Sequence, residues 1–173
     1  MANKEALREL QRRLSERLSA VRSAPQTGKS WLAVECGGRG LLFPLREAGE
    51  IFPMAGLQPV PHSQSWFLGV ANLRGHLHGV VDLARFLGLE SSQANREQAR
   101  LVGFNPQSNL NCAMLVDRLS GLRSEEQLTA EKDDPGSRPP FVGARYRDAA
   151  GRIWQELNLL ELAGHDIFLR IAA

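Results

Sequence analysis

The chain has 173 residues, 43% of them hydrophobic, with a formal net charge of +2, which suits one domain or two small joined subdomains with a real core. No run approaches the ~20 apolar residues of a membrane span, and the opening MANKEALREL lacks the apolar core of a secretory signal, so a cytoplasmic protein is expected. Twenty-one basic against nineteen acidic residues give no clustered cationic footprint of the kind nucleic-acid binding requires.

The first 29 residues differ from the rest. In KEALRELQRRLSERLSAVR, the residues Leu7, Leu10, Leu14 and Leu18, then Val21, recur at spacings of three and four. That pattern predicts an amphipathic helix with one apolar stripe. SAPQTGKS then supplies linker chemistry. A short helix with such a stripe is marginal alone and must dock on its own domain or on a partner. The expected organisation is therefore 1–29 as helix and linker, and 30–173 as the folded domain.

From Ser30 onward the predicted elements are short strands. SWLAVEC and RGLLFPL flank Gly37-Gly38, a tight-hairpin dipeptide. REAGEIF and LQPV come next, the latter broken by Pro59 and Pro61. SQSWFLG is predicted as one helical turn feeding ANLRG. HLHGVV reads as a strand, and DLARFLGL as a short helix capped by Asp82. ESSQANREQ is a polar connection. RLVGFN and NCAMLV form a second hairpin around PQSN. DRLSGLRSEEQL leads into a polar loop, TAEKDDPGSRPP. FVGARYRD/GRIWQEL is a third hairpin, and NLLELAGHDIFLRI closes the chain as a short helix with an apolar tail. Short strands with frequent turns predict an all-β chain of small barrels or a sandwich rather than a doubly wound sheet.

The chemistry-bearing residues do not assemble into an enzyme. GGRG lies in a hairpin turn, outside the strand-to-helix context of a phosphate loop. His76 and His78 share a strand face, but no third metal ligand lies nearby in sequence. Asp133-Asp134 fall in a solvated loop. Cys36 and Cys112 have no ligand spacing and read as small buried residues. One residue stands out. Arg74 interrupts the apolar run GVANLRGHLHGVVDLARFLGL, and a charge there needs either an internal partner or an external one.

WFLGVANLRG followed by VVDL and a short apolar helix resembles the central signature of the CheW family, the scaffold proteins of bacterial chemosensory arrays. FPLREAGEIF, CAMLVDRLSGL and WQELNLLELA extend the resemblance over roughly Trp31 to Ala163. The resemblance implies two small five-stranded, SH3-like barrels packed together as intertwined subdomains, with no catalysis and no cofactor. It implies an adaptor that joins a histidine kinase regulatory domain to a methyl-accepting receptor tip, without membrane insertion of its own. The N-terminal helix and the FVGARYRDAAGRIWQELNLL end are more similar to the pilus-associated, twitching-motility (PilI-like) branch.

Carried over residue by residue, the resemblance implies partner contacts at Ala48, Glu50, Ile51, Gly69, Asn72, Leu73, Arg74, Gly75, Asp82, Asp117 and Arg118. Within that set Arg74 lies beside the receptor groove and Glu50 is its upstream acid. Departures from the family pattern are Gly79 for a proline, His76 and His78 for apolar residues, Arg118 for a glycine and Ala48 for a larger apolar contact. The last two are expected near the receptor groove. The rival reading is a small-barrel nucleic-acid binder using Trp31, Trp66 and Trp154. An aromatic fraction of 6% and nearly balanced charge argue against it.

Overall fold

The computed structural model describes residues 5–6, 8–15, 28–90, 96–132 and 136–173. Leu7, Leu18, Val21, most of the SAPQTGKS linker, most of the 90–98 connection and Asp133-Asp134 lie outside the described residues. The described residues of 5–15 are helical (α1). Leu10 and Leu14 are 57% and 52% exposed, so the stripe on the described part of this helix has no cover.

Eleven strands come after it among the described residues: β1 (Ser30–Cys36), β2 (Arg39–Pro44), β3 (Ala48–Pro53), β4 (Phe67–Leu73), β5 (His76–Asp82), β6 (Arg100–Phe104), β7 (Cys112–Val116), β8 (Arg118–Ser124), β9 (Leu128–Ala130), β10 (Val142–Asp148) and β11 (Ile153–Leu157). Three α-helices of one turn or little more accompany them, α2 (Leu83–Phe86), α3 (Leu159–Ala163) and α4 (Asp166–Leu169), with two 3-10 turns at Pro106–Ser108 and Glu125–Gln127. The chain is thus all-β in character, built on two sheets. The first has six strands, one more than the resemblance implies, in the order β8-β1-β2-β11-β10-β9, and the second has the five implied, in the order β3-β6-β7-β5-β4.

This order has a simple logic. The second sheet is one continuous piece of chain, β3 to β7, inserted between β2 and β8. The first sheet is made from the chain on either side of that insertion, joined where β11 pairs parallel to β2. The chain crosses between sheets twice, at Leu45–Glu47 and at Asp117, and each crossing carries a fastened carboxylate. Glu47 accepts the Leu159 N–H at the start of α3, 3.1 Å away. Asp117 accepts the Gly37 N–H at 2.9 Å, while its own N–H donates to the Glu35 carbonyl at 2.9 Å. Burial pushes both carboxyls above the usual carboxylate range.

The core has three compartments, and strand alternation assigns residues to them. In β1, Leu32, Val34 and Cys36 face a large cluster shared by both sheets, with Leu41, Phe43, Val81, Val102, Met114 and Leu157. Trp31 and Ala33 face the other way, into the first barrel with Leu42, Tyr146 and Trp154. Phe52, Ala71, Leu73, Val80, Leu101 and Ala113 fill the second barrel. Strands buried on both faces explain the unbroken apolar runs WLAV and LLF.

The structure differs from the sequence expectation in four elements. SQSWFLG is no helical turn: residues 65–66 form a turn and Phe67 already pairs with Val81. LQPV contributes only the single bridge Gln58–Val70, since Pro59 lacks the N–H a strand needs. DRLSGLRS contains a strand, β8, and the polar loop begins later because Thr129 and Ala130 pair with β10 as β9. The closing helix is followed, after Gly164 and His165, by a second one, because Asp166–Leu169 of the expected apolar tail is itself helical.

Candidate docking site at the barrel seam

β3 and β4 are the two edges of the second sheet. They meet through side chains. Leu73 ends β4 and His76 begins β5, leaving Arg74 and Gly75 as a two-residue hairpin with φ of +50° and +83°. Positive φ at both central residues is the type I′ geometry that matches strand twist, and it favours Asn-Gly or Gly-Gly. Asn72 braces the turn, its Oδ1 accepting the Gly75 N–H at 2.8 Å. Arg74 is therefore an arginine in a left-handed position, a conformation that costs about 1–3 kcal/mol for a non-glycine residue.

From that turn the Arg74 side chain crosses to β3. Its Nη1 pairs with Glu50 Oε1, and its guanidinium lies 5.9 Å from the Phe52 ring centre. His78 stacks at a tilt against the same ring, 5.7 Å away. Phe52 itself is buried with Leu73 and Ala71. The seam thus has an apolar floor and a charged top. The Arg74 side chain remains 72% exposed and that of Glu50 43%, so the pair sits in solvent, where such bridges contribute only about 0–1 kcal/mol.

The other expected site residues fall in different surroundings. Ile51, on β3 beside Glu50, is at the surface. Ala48 begins β3, pairs with Phe104 and packs against the shared core. Gly69 has φ of +131°, and a Cβ there would stand 2.2 Å from the Gln58 carbonyl oxygen. It is a close backbone approach that only glycine permits. Asp82 is buried as the N-cap of α2, accepting the Arg85 N–H at 3.2 Å and pairing with its guanidinium at 3.3 Å. Asp117 is the crossing residue described above.

Arg118 leaves the seam altogether. It sits on β8 of the first sheet, its Nη2 donating to Glu35 Oε1 at 2.6 Å. The structure therefore gathers Glu50, Ile51, Asn72, Leu73, Arg74 and Gly75 into one place and sets Asp82, Asp117 and Arg118 elsewhere. It also adds Phe52, which sequence reasoning did not single out, and His78, which it weighed only as a metal ligand and as a departure from the family pattern. Their signal was parity: His78 opposes Ala71 in the hairpin, so its ring faces the barrel rather than solvent.

Two small sheets sharing one core, with an exposed arginine braced on a left-handed turn, make a two-barrel module. A family model described as CheW-like domain matches residues 30–166, and the chain belongs to that family. Over 165 residues it is 30% identical to Protein PilI of Pseudomonas aeruginosa, an alignment covering 93% of this chain and 89% of that one. The fold is also that of the scaffolding protein TtCheW from Thermoanaerobacter tengcongensis. There the TM-score is 0.65 at 15% identity, over 78% of this chain and 92% of the other. Among the described residues no helix is long and apolar enough to cross a membrane.

Proposed function

We propose that this chain is a non-enzymatic adaptor that couples a histidine kinase, through its regulatory domain, to the tips of methyl-accepting receptors. Similarity to PilI supports a place in the control of type IV pilus twitching motility, in the cytoplasm beside membrane-anchored receptor arrays. Residues 1–29 act as a separable segment, and residues 30–173 as the docking domain.

One observation carries the assignment of the receptor contact to Arg74. Its left-handed backbone costs about 1–3 kcal/mol, while its exposed bridge to Glu50 returns about 0–1 kcal/mol. Stability alone would favour asparagine or glycine at this turn. An arginine kept there has a use outside the fold. Glu50 and Phe52 hold the guanidinium in place with donors left for a partner's acceptor. The nucleic-acid reading loses its aromatic platform, because Trp31, Trp66 and Trp154 are 1%, 9% and 2% exposed.

The test is Arg74→Ala, with the melting temperature and affinities for a receptor-tip fragment and a kinase regulatory domain measured side by side. A hydrogen bond to a charged group contributes ~1.5–3 kcal/mol, so receptor affinity should fall about tenfold or more. Kinase affinity and melting temperature should hardly move. Equal loss of both affinities with a matching fall in stability would reduce Arg74 to an internal tie.

A further inference from the structure

The mouth of the first barrel carries a second arginine arrangement that the seam does not use. Glu35 is the one charged residue on the inward face of β1, in line with Trp31 and Ala33. Its Oε1 accepts from Arg118 Nη2 and from Arg152 Nη1, each at 2.6 Å. A single carboxylate oxygen thus holds two guanidiniums, one from β8 and one from the residue just before β11, with Ser120 Oγ at 3.5 Å. The pull of these arginines holds the Glu35 carboxyl below the usual carboxylate range. Arg152 also lies over the Trp154 ring at 4.6 Å, and Arg123 over the same ring at 5.5 Å. Gly40 leaves room for that ring, since a Cβ there would be 2.6 Å from Trp154 Cε3. Two other acids lie nearby and both are occupied: Asp148 by the Trp154 indole N–H and by the N–H groups of Ala150 and Arg152, and Asp117, which feels the Glu35 charge, by the Gly37 N–H.

We propose that this mouth is a docking site for an acidic protein segment, and that Glu35 is an internal stand-in for the partner's carboxylate. Each guanidinium has five N–H donors in a planar fork that matches a carboxylate. Arg118 and Arg152 each engage Glu35 through one nitrogen and remain about half exposed. An incoming carboxylate meets two forks whose spacing is already set for that group, and it displaces or shares Glu35. Phosphate chains fit less well: Trp154 is sandwiched between Gly40 and the arginines, so no ring face is open for base stacking. The site lies on the first sheet, away from Arg74, and stands or falls separately from the receptor contact.

The experiment titrates full-length protein with a hexaglutamate peptide at low and moderate salt. The Trp154 indole N–H signal, assigned by triple-resonance NMR, is the reporter. Hexaglutamate should shift that signal, with affinity falling as salt rises. Glu35→Gln should bind it about threefold to tenfold more tightly, because the internal competitor is gone. Glu131→Gln removes the same charge from the Arg147 pair elsewhere on this sheet, and should change affinity no more than about twofold. Arg118→Gln with Arg152→Gln should lose binding about tenfold. If that double variant fails to fold, Arg118→Lys keeps the charge without the fork and should still weaken binding. The idea is overturned by the absence of any Trp154 shift or by equal effects of Glu35→Gln and Glu131→Gln. Equal binding of hexathymidylate, or unchanged binding in the arginine variants, also overturns it.

Discussion

Arg74 and Glu50 join the two edges of one sheet: the turn at the end of edge strand β4 reaches across to edge strand β3. Side chains close the second barrel where no backbone ladder does. The same contact leaves the guanidinium facing solvent, so one pair both marks the seam and presents a donor.

Replacing Arg74 with asparagine separates those two roles. Asparagine tolerates the left-handed region, so backbone strain eases as the weak ion pair is lost. Stability measured by denaturant melting should stay within about 1 kcal/mol of the parent. Receptor-tip affinity should fall as far as in Arg74→Ala.

Gly69→Ala should be far more damaging than a change that removes no contact would suggest, because Gly69 is buried on β4. The added Cβ would collide with the backbone at Gln58, and φ of +131° is closed to alanine. The Gln58–Val70 bridge and the β4–β5 register must give way. A loss of about 3 kcal/mol or more, or insoluble expression, is expected. A variant as stable as the parent would contradict the close approach.

Stability should depend on pH in two opposing ways. Glu35 has a folded pKa below its unfolded one, so its contribution is present above the unfolded pKa, near 4, and is lost as pH falls through the folded value. Glu35→Gln should flatten that acid limb. Asp117 has a raised pKa, chiefly through burial. Its contribution is full below the unfolded pKa and is lost as pH rises through the folded value. Asp117→Asn keeps an acceptor for the Gly37 N–H and should remove that decline. Melting temperatures from pH 3 to 7 for the parent and both variants check the signs.

Deleting residues 1–27 should leave a folded domain. Leu10 and Leu14 contribute nothing to the three core clusters, so the melting temperature should move by no more than a few degrees. Global unfolding of the shortened chain would mean that the segment completes the core.

The fold was legible where local chemistry and tertiary packing agree. Gly37-Gly38 and Pro106 to Asn109 mark hairpins by turn chemistry alone, and Asp82 caps α2 as its position predicts. β8 was hidden because Gly121, with φ of +86°, sits where the β1 pairing shifts register, and Leu122 faces solvent. β9 has three residues and two of them are exposed, so no alternation betrays it. At the site, the resemblance picked out Arg74 and Glu50, but it grouped Arg118 with them. Sequence spacing has no means of showing that β8 returns to the first sheet, where Arg118 meets Glu35 from 83 residues away.

The insertion of β3–β7 between β2 and β8 also sets a timetable for synthesis. On a ribosome, the second sheet has all its strands once residue 116 has emerged. β1 and β2 appear first, yet the partner of β2 is β11, more than 110 residues later. Until then Leu41 and Phe43 belong to a hairpin without its neighbour, and such an unpaired edge invites the wrong strand. Pairings this distant also form slowly. Truncated chains ending before Ile153 should therefore hold a finished second barrel beside an adhesive first one, so the late C-terminal hairpin governs soluble yield.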